Sequence, residues 1–217
     1  YRTATGALYD SGDYQAAVEQ AVANRLADLK SRRDEARAAG RRYGIGFAAV
    51  VEPSVSNMGY ITTVLTAEER RKAGPKNGAQ ATATVSIDPV GSVSVHVAST
   101  PQGQGHRTVL AQVVADIFGL PHREIRVVAD LDTGKDAWSI ASGNYSSRFA
   151  AAVAGAAHLA ATRLRDKLAL IAADQLKAEP GQIGFAGGAV FAKGNPDKTI
   201  PFGRIAALCH WSPALLP

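Results

Sequence analysis

The segment best suited to binding a ligand is Pro-Gln-Gly-Gln-Gly-His-Arg-Thr at residues 101–108, between a predicted strand and a predicted helix. Gly103 and Gly105 let a ligand approach the backbone closely, and the free N–H groups of a helix start favour an anion such as phosphate. Between them, Gln104 offers an amide that can donate to an oxygen or accept a hydrogen bond. A Gly-x-Gly turn is equally common as a purely structural loop, so this segment alone decides nothing.

A second polar segment precedes an alanine-rich stretch. Residues 132–134 read Asp-Thr-Gly, and residues 141–148 read Ala-Ser-Gly-Asn-Tyr-Ser-Ser-Arg. Ser146 or Ser147 can simply be the N-cap of the following helix, and Asp132 can simply close a turn. A cap or a turn explains one of these residues, but not why so many polar residues occur together. Two helix starts, each preceded by small hydrogen-bonding residues, predict a cradle for a large polar cofactor that carries phosphate.

The other ionisable residues are weaker candidates for catalysis. Glu52 is the best placed acid or base, although a surface position at a strand end is the favoured interpretation. Cys209 and His210 are adjacent, and adjacent residues on a helix point about 100° apart, so they are not expected to form a catalytic pair. The histidines that have no acid or base at a suitable spacing are predicted to be structural: His96, His122 and His158.

The composition is that of a globular protein. The 217 residues are 46% hydrophobic and 20% charged, enough to bury a core. A run of about 18 apolar residues, as a membrane span needs, is absent, and so is the pattern of a signal peptide, so we expect no membrane association and a cytoplasmic location. A single cysteine, Cys209, excludes an internal disulfide and a cysteine-rich metal site. The sequence starts at Tyr1 rather than at Met, as a cut or processed chain does.

The net charge of +5 raises the alternative of a basic interaction domain for nucleic acid. The basic residues of the 25–42 region alternate with Asp28, Asp34 and Glu35, as on a solvated helix face. We therefore expect no binding to nucleic acid. Salt-sensitive binding to DNA would support the alternative.

Hydrophobic periodicity predicts the elements that position these loops. A long amphipathic helix is expected over 13–39, with Asp13 as its cap and Gly40 at its end, followed by a buried strand over 43–52 that Pro53 stops. Residues 66–78 are expected to form a polar, flexible surface loop. A hairpin is expected over 81–98, then a helix that Gly119 ends, a strand over 125–129 and a long alanine-rich helix. A short hairpin over 183–191 and a helix over 202–210 complete the chain.

These elements predict an α+β or mixed α/β fold in which helices pack on a mainly antiparallel sheet. The expected parts are residues 1–53 as helix and strand, 79–177 as the ligand-binding core, and 178–217 as a C-terminal hairpin and helix.

Several motifs carry a family resemblance: Tyr-Asp-Ser-Gly-Asp-Tyr at 9–14, Gly-Gln-Gly-His at 103–106, Asp-Thr at 132–133 and Ser-Ser-Arg at 146–148. In this order and spacing they resemble the molybdopterin-binding subunit of the xanthine dehydrogenase and carbon monoxide dehydrogenase family of molybdenum hydroxylases. Residues 116–121 and 173–181 also resemble that family, so the resemblance runs from about Tyr1 to His210.

The resemblance implies which residues bind the cofactor. Four residues would contact the molybdopterin: Gly103, Gln104, Gly105 and His106. Of these, Gln104 would lie nearest to the pyran ring. Those that would hold its phosphate or dinucleotide end are Ser146, Ser147 and Arg148, and those that would shape the second loop are Asp132, Thr133 and Gly143. In the family, sulfur atoms of the cofactor hold the molybdenum, so no side chain of this chain is expected to be a metal ligand.

The resemblance also implies an oxidoreductase that hydroxylates a small molecule of the aldehyde or N-heterocycle type, as aldehyde oxidase does, with water as the oxygen source. Iron–sulfur and FAD are expected on partner subunits, and a cytosine dinucleotide form of molybdopterin is one option. Two parts of the family's large subunit have no counterpart here: an earlier half with a glycine-rich loop near the metal, and a later segment with the catalytic glutamate. The chain is thus expected to be part of a subunit, without a catalytic residue of its own and inactive alone.

The sequence leaves the role of the 132–142 loop and one alternative function open. Residues 132–142, with Lys135 and Trp138, differ from the family's more usual glycine-rich loop, which leaves the substrate and the cofactor form undecided. Trp138 can line a substrate entrance or simply pack the loop down. The alternative function is a non-enzymatic module that binds a phosphate-bearing ligand at the two helix starts.

Overall fold

The computed structural model describes two compact units, Tyr1–Glu52 and Pro53–Pro217. Among the described residues, no helix combines the length and the apolar character needed to cross a bilayer. The structure describes residues 2–4, 6, 12–23, 25–51, 66–73, 80–134, 143–212 and 214.

The first unit contains two helices, α1 (Tyr14–Ala23) and α2 (Leu26–Ala38), where the periodicity predicts one. Asp13 caps the first, because its Oδ1 accepts a hydrogen bond from the N–H of Ala16 at 2.9 Å. The second ends at Ala38, just before the predicted stop at Gly40, whose φ of 69° lets the N–H of Arg41 donate to the carbonyl of Ala36 in the last turn. Arg25, with φ −128°, is not helical, so the helix cannot continue through it.

The predicted strand over 43–52 is wrong. Among the described residues, 41–51 form neither a strand nor a helix, and Val50 is 84% exposed. A β-branched run favours extended backbone, but a buried strand also needs a neighbouring strand and a packed face, and propensity supplies neither. Glu52 and Pro53 lie outside the described residues.

Another correction concerns the expected loop over 66–78, which contains the helix α3 (Ala67–Ala73). Thr66 and Glu69 form a capping box: the N–H of Thr66 donates to Glu69 Oε2 at 2.7 Å, and the N–H of Glu69 donates to Thr66 Oγ1 at 3.3 Å. The N–H of Thr66, and then its hydroxyl, which donates to Glu69 Oε2 at 2.8 Å, lower the pKa of the Glu69 carboxyl. Thr-x-x-Glu is a sequence signal for a helix start, and it is the signal that the loop prediction missed.

The predicted hairpin and the following strand form a three-stranded sheet of β1 (Ala83–Ile87), β2 (Val93–Val97) and β3 (Ile125–Val128), in that order. β1 and β2 are antiparallel, and β2 and β3 are parallel. The hairpin turn is fixed by Asp88, whose Oδ1 accepts hydrogen bonds from the N–H groups of Val90 and Ser92. The predicted strand–loop–helix–strand unit is confirmed.

The crossover helix of that unit is α4 (His106–Phe118), and it packs on the sheet beside α5 (Ala154–Leu176). The inward side chains of β2, Val93, Val95 and Val97, belong to one buried core with residues of both helices. α4 ends at Gly119, as predicted. A Cβ there would clash with the backbone of Phe185 and Ala186, so glycine is required by close approach as well as by its φ of 63°.

The C-terminal part adds a second sheet and a last helix. Its hairpin is confirmed as β4 (Ile183–Ala186) and β5 (Ala189–Ala192), and a third antiparallel strand, β6 (Asn195–Pro201), was not predicted. β6 is an exposed polar edge strand, so it has none of the alternation on which the prediction depended. α6 (Phe202–Trp211) is the predicted final helix. The prediction of helices packed on mainly antiparallel sheets is confirmed.

Candidate functional site

The two predicted ligand loops lie at the same edge of the first sheet. β2 and β3 run parallel, so their carboxyl ends meet there. The segment at 101–105 connects the end of β2 to α4, and Asp130 follows the end of β3. In sheets with parallel strands, ligands bind outside these carboxyl ends, so the sheet itself points to this edge.

The turn at 101–105 leaves its backbone open. Gly103 has φ 104° and Gly105 has φ 79°, a region that favours glycine, and a Cβ at either position would meet no atom within 4 Å. Gln104, between them, is exposed, and its Oε1 accepts a hydrogen bond from the N–H of Gln102 at 2.6 Å. The carbonyl end of its amide thus holds the turn, and the NH2 end is the part left to donate to a ligand.

His106, the next residue, does not share this exposure. It is the first residue of α4, it is 2% exposed, and its ring stacks on that of Phe149 with centroids 3.6 Å apart and planes 1° apart. Its Nδ1 is buried without a hydrogen-bond partner among the described residues. Burial lowers the pKa of the imidazole.

The second turn places two serines in the left-handed region, Ser146 with φ 52° and Ser147 with φ 47°. Such backbone costs an L-residue about 1–3 kcal/mol and is concentrated at functional sites. Arg148 then returns to right-handed backbone and starts a π-helical turn, Phe149–Val153, that leads into α5. Within the described residues no side chain caps this turn, so the alternative of a serine N-cap is not what the structure shows. Ser146 is buried and Ser147 is exposed.

The buried side chain of Arg148 stabilises this turn by hydrogen bonds to the backbone. It is 1% exposed, its Nη1 donates to the carbonyl of Gly143 at 3.0 Å, and its Nη2 donates to the carbonyl of Gln80. Its guanidinium also lies 5.6 Å from the centre of the Tyr145 ring. The Arg148 side chain therefore fixes the loop backbone from within rather than facing solvent.

A clasp that the sequence analysis missed joins the two loops. Ser99 Oγ donates to Asn144 Oδ1 at 2.7 Å, and Asn144 Nδ2 donates to the carbonyl of Thr100. Nothing in the residue types signals this pairing, because the partners are more than forty positions apart. A cavity of about 270 Å³ lies beside the clasp, lined by Ala98, Thr100, Gln102, Leu131, Gly143 and Asn144.

The Asp-Thr-Gly segment is mainly a turn. The Oδ1 of Asp132 accepts a hydrogen bond from the N–H of Gly134 at 3.0 Å, which is the turn-closing role that the alternative gave it. Thr133 is exposed. Just before this turn, Asp130 Oδ1 pairs with Arg107 Nη2 at 2.7 Å, which ties the start of α4 to the end of β3. Lys135, Trp138 and Ser142 lie outside the described residues.

Cys209 and His210 do not form a pair, as predicted. Cys209 Sγ donates to the carbonyl of Ile205 at 3.3 Å, and His210 Nε2 lies 3.0 Å from the carbonyl of Ile87. Burial raises the pKa of the Cys209 thiol, which makes it a weak nucleophile. In the part of the chain that the structure describes, no group of three or more His, Cys, Asp or Glu side chains is arranged to hold a metal ion.

A larger cavity of about 750 Å³ lies elsewhere, between α4, α5 and the β4–β5 hairpin. Phe185 and Phe191 line it, together with the ion pair of Arg165 and Asp166. Its lining includes none of the residues predicted here to bind a ligand, all of which are described. The smaller cavity lies at the carboxyl ends of the parallel strands, and its lining includes Gln102 of the first turn and Gly143 of the second loop.

Comparisons with known proteins converge on one family. Residues 21–216 match the molybdopterin cofactor-binding domain. The nicotine 6-hydroxylase large subunit of Paenarthrobacter nicotinovorans is 31% identical over 214 residues, which cover 98% of this chain and 25% of that protein. The carbon monoxide dehydrogenase large chain of Hydrogenophaga pseudoflava is 29% identical over 220 residues, with 98% and 25% covered.

Solved structures agree with the sequence matches. Quinoline 2-oxidoreductase from Pseudomonas putida 86 superposes with a TM-score of 0.73 at 27% identity, covering 100% of this chain and 26% of that one. A Cu,Mo-CO dehydrogenase gives a TM-score of 0.66 at 26% identity, covering 96% and 25%. The chain thus spans about a quarter of the length of the relatives it matches.

Proposed function

This chain belongs to the molybdopterin cofactor-binding domain family, and we propose that it supplies cofactor-binding loops to the catalytic subunit of a molybdenum hydroxylase. The observation that carries the proposal is the proximity of its two polar turns. Asn144 bridges them by hydrogen bonds, and the stack of His106 on Phe149 joins the helical segments that follow them. One ligand can therefore contact both turns.

The first turn suits the pterin end of the cofactor. Gly103 and Gly105 leave room for a flat ring system against the backbone, and the amide of Gln104 can donate to its polar edge. Gly105 in left-handed backbone followed by a helical residue turns successive N–H groups towards one concavity, which favours an anion. These residues would bind and orient the cofactor; they transfer no proton.

The second turn suits the phosphate or dinucleotide end. Ser147 is exposed, and its positive φ next to the helical Arg148 would turn the backbone N–H of Ser147 towards a ligand, while the N–H of Arg148 donates to the carbonyl of Tyr145. Arg148 would act by holding the carbonyl of Gly143 rather than by touching phosphate. In this proposal, Ser146, Asp132 and Thr133 shape the loop around the ligand.

A bound molybdopterin cofactor would supply the two-electron oxidation of a carbon centre, with water as the oxygen source. The described residues of this chain would bind and orient that cofactor and exclude water at the two turns, and we propose that the chain alone is inactive. A cytosine dinucleotide form fits a site with two anion-binding turns.

An N-heteroaromatic compound is the proposed substrate class, ahead of an aldehyde. The relatives that support this choice are nicotine 6-hydroxylase and quinoline 2-oxidoreductase, each named for such a compound. As partners we propose the rest of the molybdenum subunit and subunits that carry iron–sulfur centres and FAD, in the cytoplasm. The support is that relatives are named as a large subunit, a large chain and a subunit of a dehydrogenase complex.

The proposal is tested by measuring molybdenum and pterin in the protein purified from its host. We expect about one pterin per chain, and we expect Gln104→Ala to lower pterin occupancy or turnover by roughly tenfold, the effect of losing a hydrogen bond of about 1.4 kcal/mol. Gln112→Ala, at an exposed position further along α4, is the matched control and should change neither. A phosphate-bearing ligand without molybdenum would support the non-enzymatic alternative instead.

A further inference from the structure

His106 links the two turns through a single ring contact. It is the first residue of α4, and Phe149 is the first residue of the π-helical turn that leads to α5. The two rings are 3.6 Å apart and parallel to within 1°. A shift of either helix start relative to the other would separate these rings, so the stack depends on the spacing of the two turns.

Packing holds the Nδ1 side of the imidazole in place. Its Nδ1 is buried without a partner among the described residues, and a buried polar atom left unpaired costs free energy. The ring also plays no part in capping α4, since Gly105 is the N-cap and no side chain bonds to that helix start within the described residues. The contact that the structure gives the ring is its stack on Phe149.

We propose that His106 is a positioning residue: through its stack on Phe149 it fixes the spacing between the 103–106 turn and the 146–149 turn, and it does not touch the ligand. This differs from the expectation, drawn from the family resemblance, that His106 contacts the cofactor. The reason for the difference is that His106 is 2% exposed, whereas Gly103, Gln104 and Gly105 are exposed. The consequence for cofactor retention rests on the proposed function, but the coupling of the turns does not.

Hydrogen–deuterium exchange on the purified protein tests the coupling. His106→Ala and Phe149→Ala should each speed exchange at the hydrogen-bonded amides that follow the two turns, Val109 after the first and Ala152 after the second, by roughly threefold to tenfold, the effect of losing one aromatic pair. His106→Phe keeps the stack and should stay within about twofold of the original protein. His122→Ala, at an exposed histidine that starts the 3₁₀ turn before β3, is the control and should change neither turn.

Faster exchange confined to the substituted turn would overturn the proposal. If an alanine variant fails to fold, Phe149→Leu replaces it, because leucine keeps apolar volume but loses the flat ring. That variant should speed exchange at the Val109 amide as well as at the Ala152 amide. Exchange at Val109 unchanged by Phe149→Leu would contradict the role of the stack.

Pterin retention provides the second readout. His106→Phe should keep the pterin content of the original protein, and His106→Ala should lower it by roughly threefold to tenfold. If His106→Phe loses pterin while both turns exchange normally, the imidazole itself contacts the cofactor and the positioning role is wrong. If the unmodified protein holds no pterin, the proposed function fails, and the exchange measurements alone decide the positioning role.

Discussion

The two turns of the candidate site adopt similar left-handed backbone with different residues. Both reach left-handed backbone just before a helical segment, the first with Gly103 and Gly105, the second with Ser146 and Ser147. Around the first, open space surrounds the backbone. Behind the second, the buried guanidinium of Arg148 holds two backbone carbonyls.

The first turn is open to a ligand, whereas the second turn is supported by a buried side chain. A glycine turn adopts its conformation without strain and leaves the backbone free for a ligand. A serine turn in the same region is strained, and it persists only where surrounding contacts determine it. We infer that the first turn provides the contact surface and that the second is held in shape by Arg148. Substitutions at the two turns should therefore have different effects.

The largest effect is expected from Arg148→Ala. It removes two part-buried hydrogen bonds to backbone carbonyls and leaves a cavity in place of a buried side chain, so the free energy of unfolding should fall by about 3 kcal/mol in urea titrations. Arg148→Lys should recover little, since an ammonium group cannot reproduce the planar fork of a guanidinium. Arg163→Ala, at an exposed position of α5, should stay within about 0.5 kcal/mol. An equally small loss for Arg148→Ala would show that Arg148 does not stabilise the second turn.

The next effect compares two glycines. Gly105→Ala should lower the free energy of unfolding by about 1–2 kcal/mol, because its φ of 79° is strained for alanine. Gly155→Ala, within α5 and with no atom near an added Cβ, should raise it by about 0.5–1 kcal/mol. Ser147→Gly should change it by less than about 0.5 kcal/mol, because relief of strain and greater freedom of the unfolded chain offset each other. A Gly105→Ala variant as stable as the original protein would show that the turn is not constrained.

A smaller effect is expected where the turns are clasped. Ser99→Ala removes the part-buried hydrogen bond to Asn144 and should lower the free energy of unfolding by about 1 kcal/mol. Ser86→Ala removes the exposed hydrogen bond between Ser86 and Ser94 and is the control, with a loss of less than about 0.5 kcal/mol. Equal losses at both serines would mean that the clasp contributes no more than an ordinary surface contact.

The smallest effect is a pH dependence at the first turn. Burial lowers the pKa of His106 in the folded protein below its unfolded value of about 6.5, so the unfolded state binds more protons at low pH. Its contribution to stability is complete above that unfolded pKa and is lost as the pH falls below it. Urea titrations at pH 7.5 and 5.5 should show a smaller drop for His106→Phe than for the original protein. An identical drop would show that His106 does not titrate as proposed.

Much of the fold followed from local patterns. The hairpin over 81–98, the helix ended by Gly119 and the alanine-rich helix are each specified by periodicity and a turn residue close in sequence. The errors occurred where non-local contacts decide. Residues 41–51 have strand-like composition without a strand partner in the described chain, and β6 is polar yet pairs with β5.

The candidate site divides in the same way. Glycine spacing before a helix identified the 103–106 turn, and clustered small polar residues identified the second turn. The residues that join them, Ser99, Asn144 and Phe149, carry no local signal, because each matters only through a partner far away in the sequence. Likewise, the burial of His106 and Arg148 depends on the packing around them, which the family resemblance, the source of the expected ligand contacts, does not reveal.

A crystal structure of the protein with its cofactor bound would show whether one cofactor lies against both turns. We expect pterin density beside the backbone of Gly103 and Gly105, with its phosphate within hydrogen-bond distance of the Ser147 turn, and with the His106 ring still stacked on Phe149. Cofactor density in the larger cavity beside Phe185 and Phe191, or contact with one of the two turns alone, would contradict it.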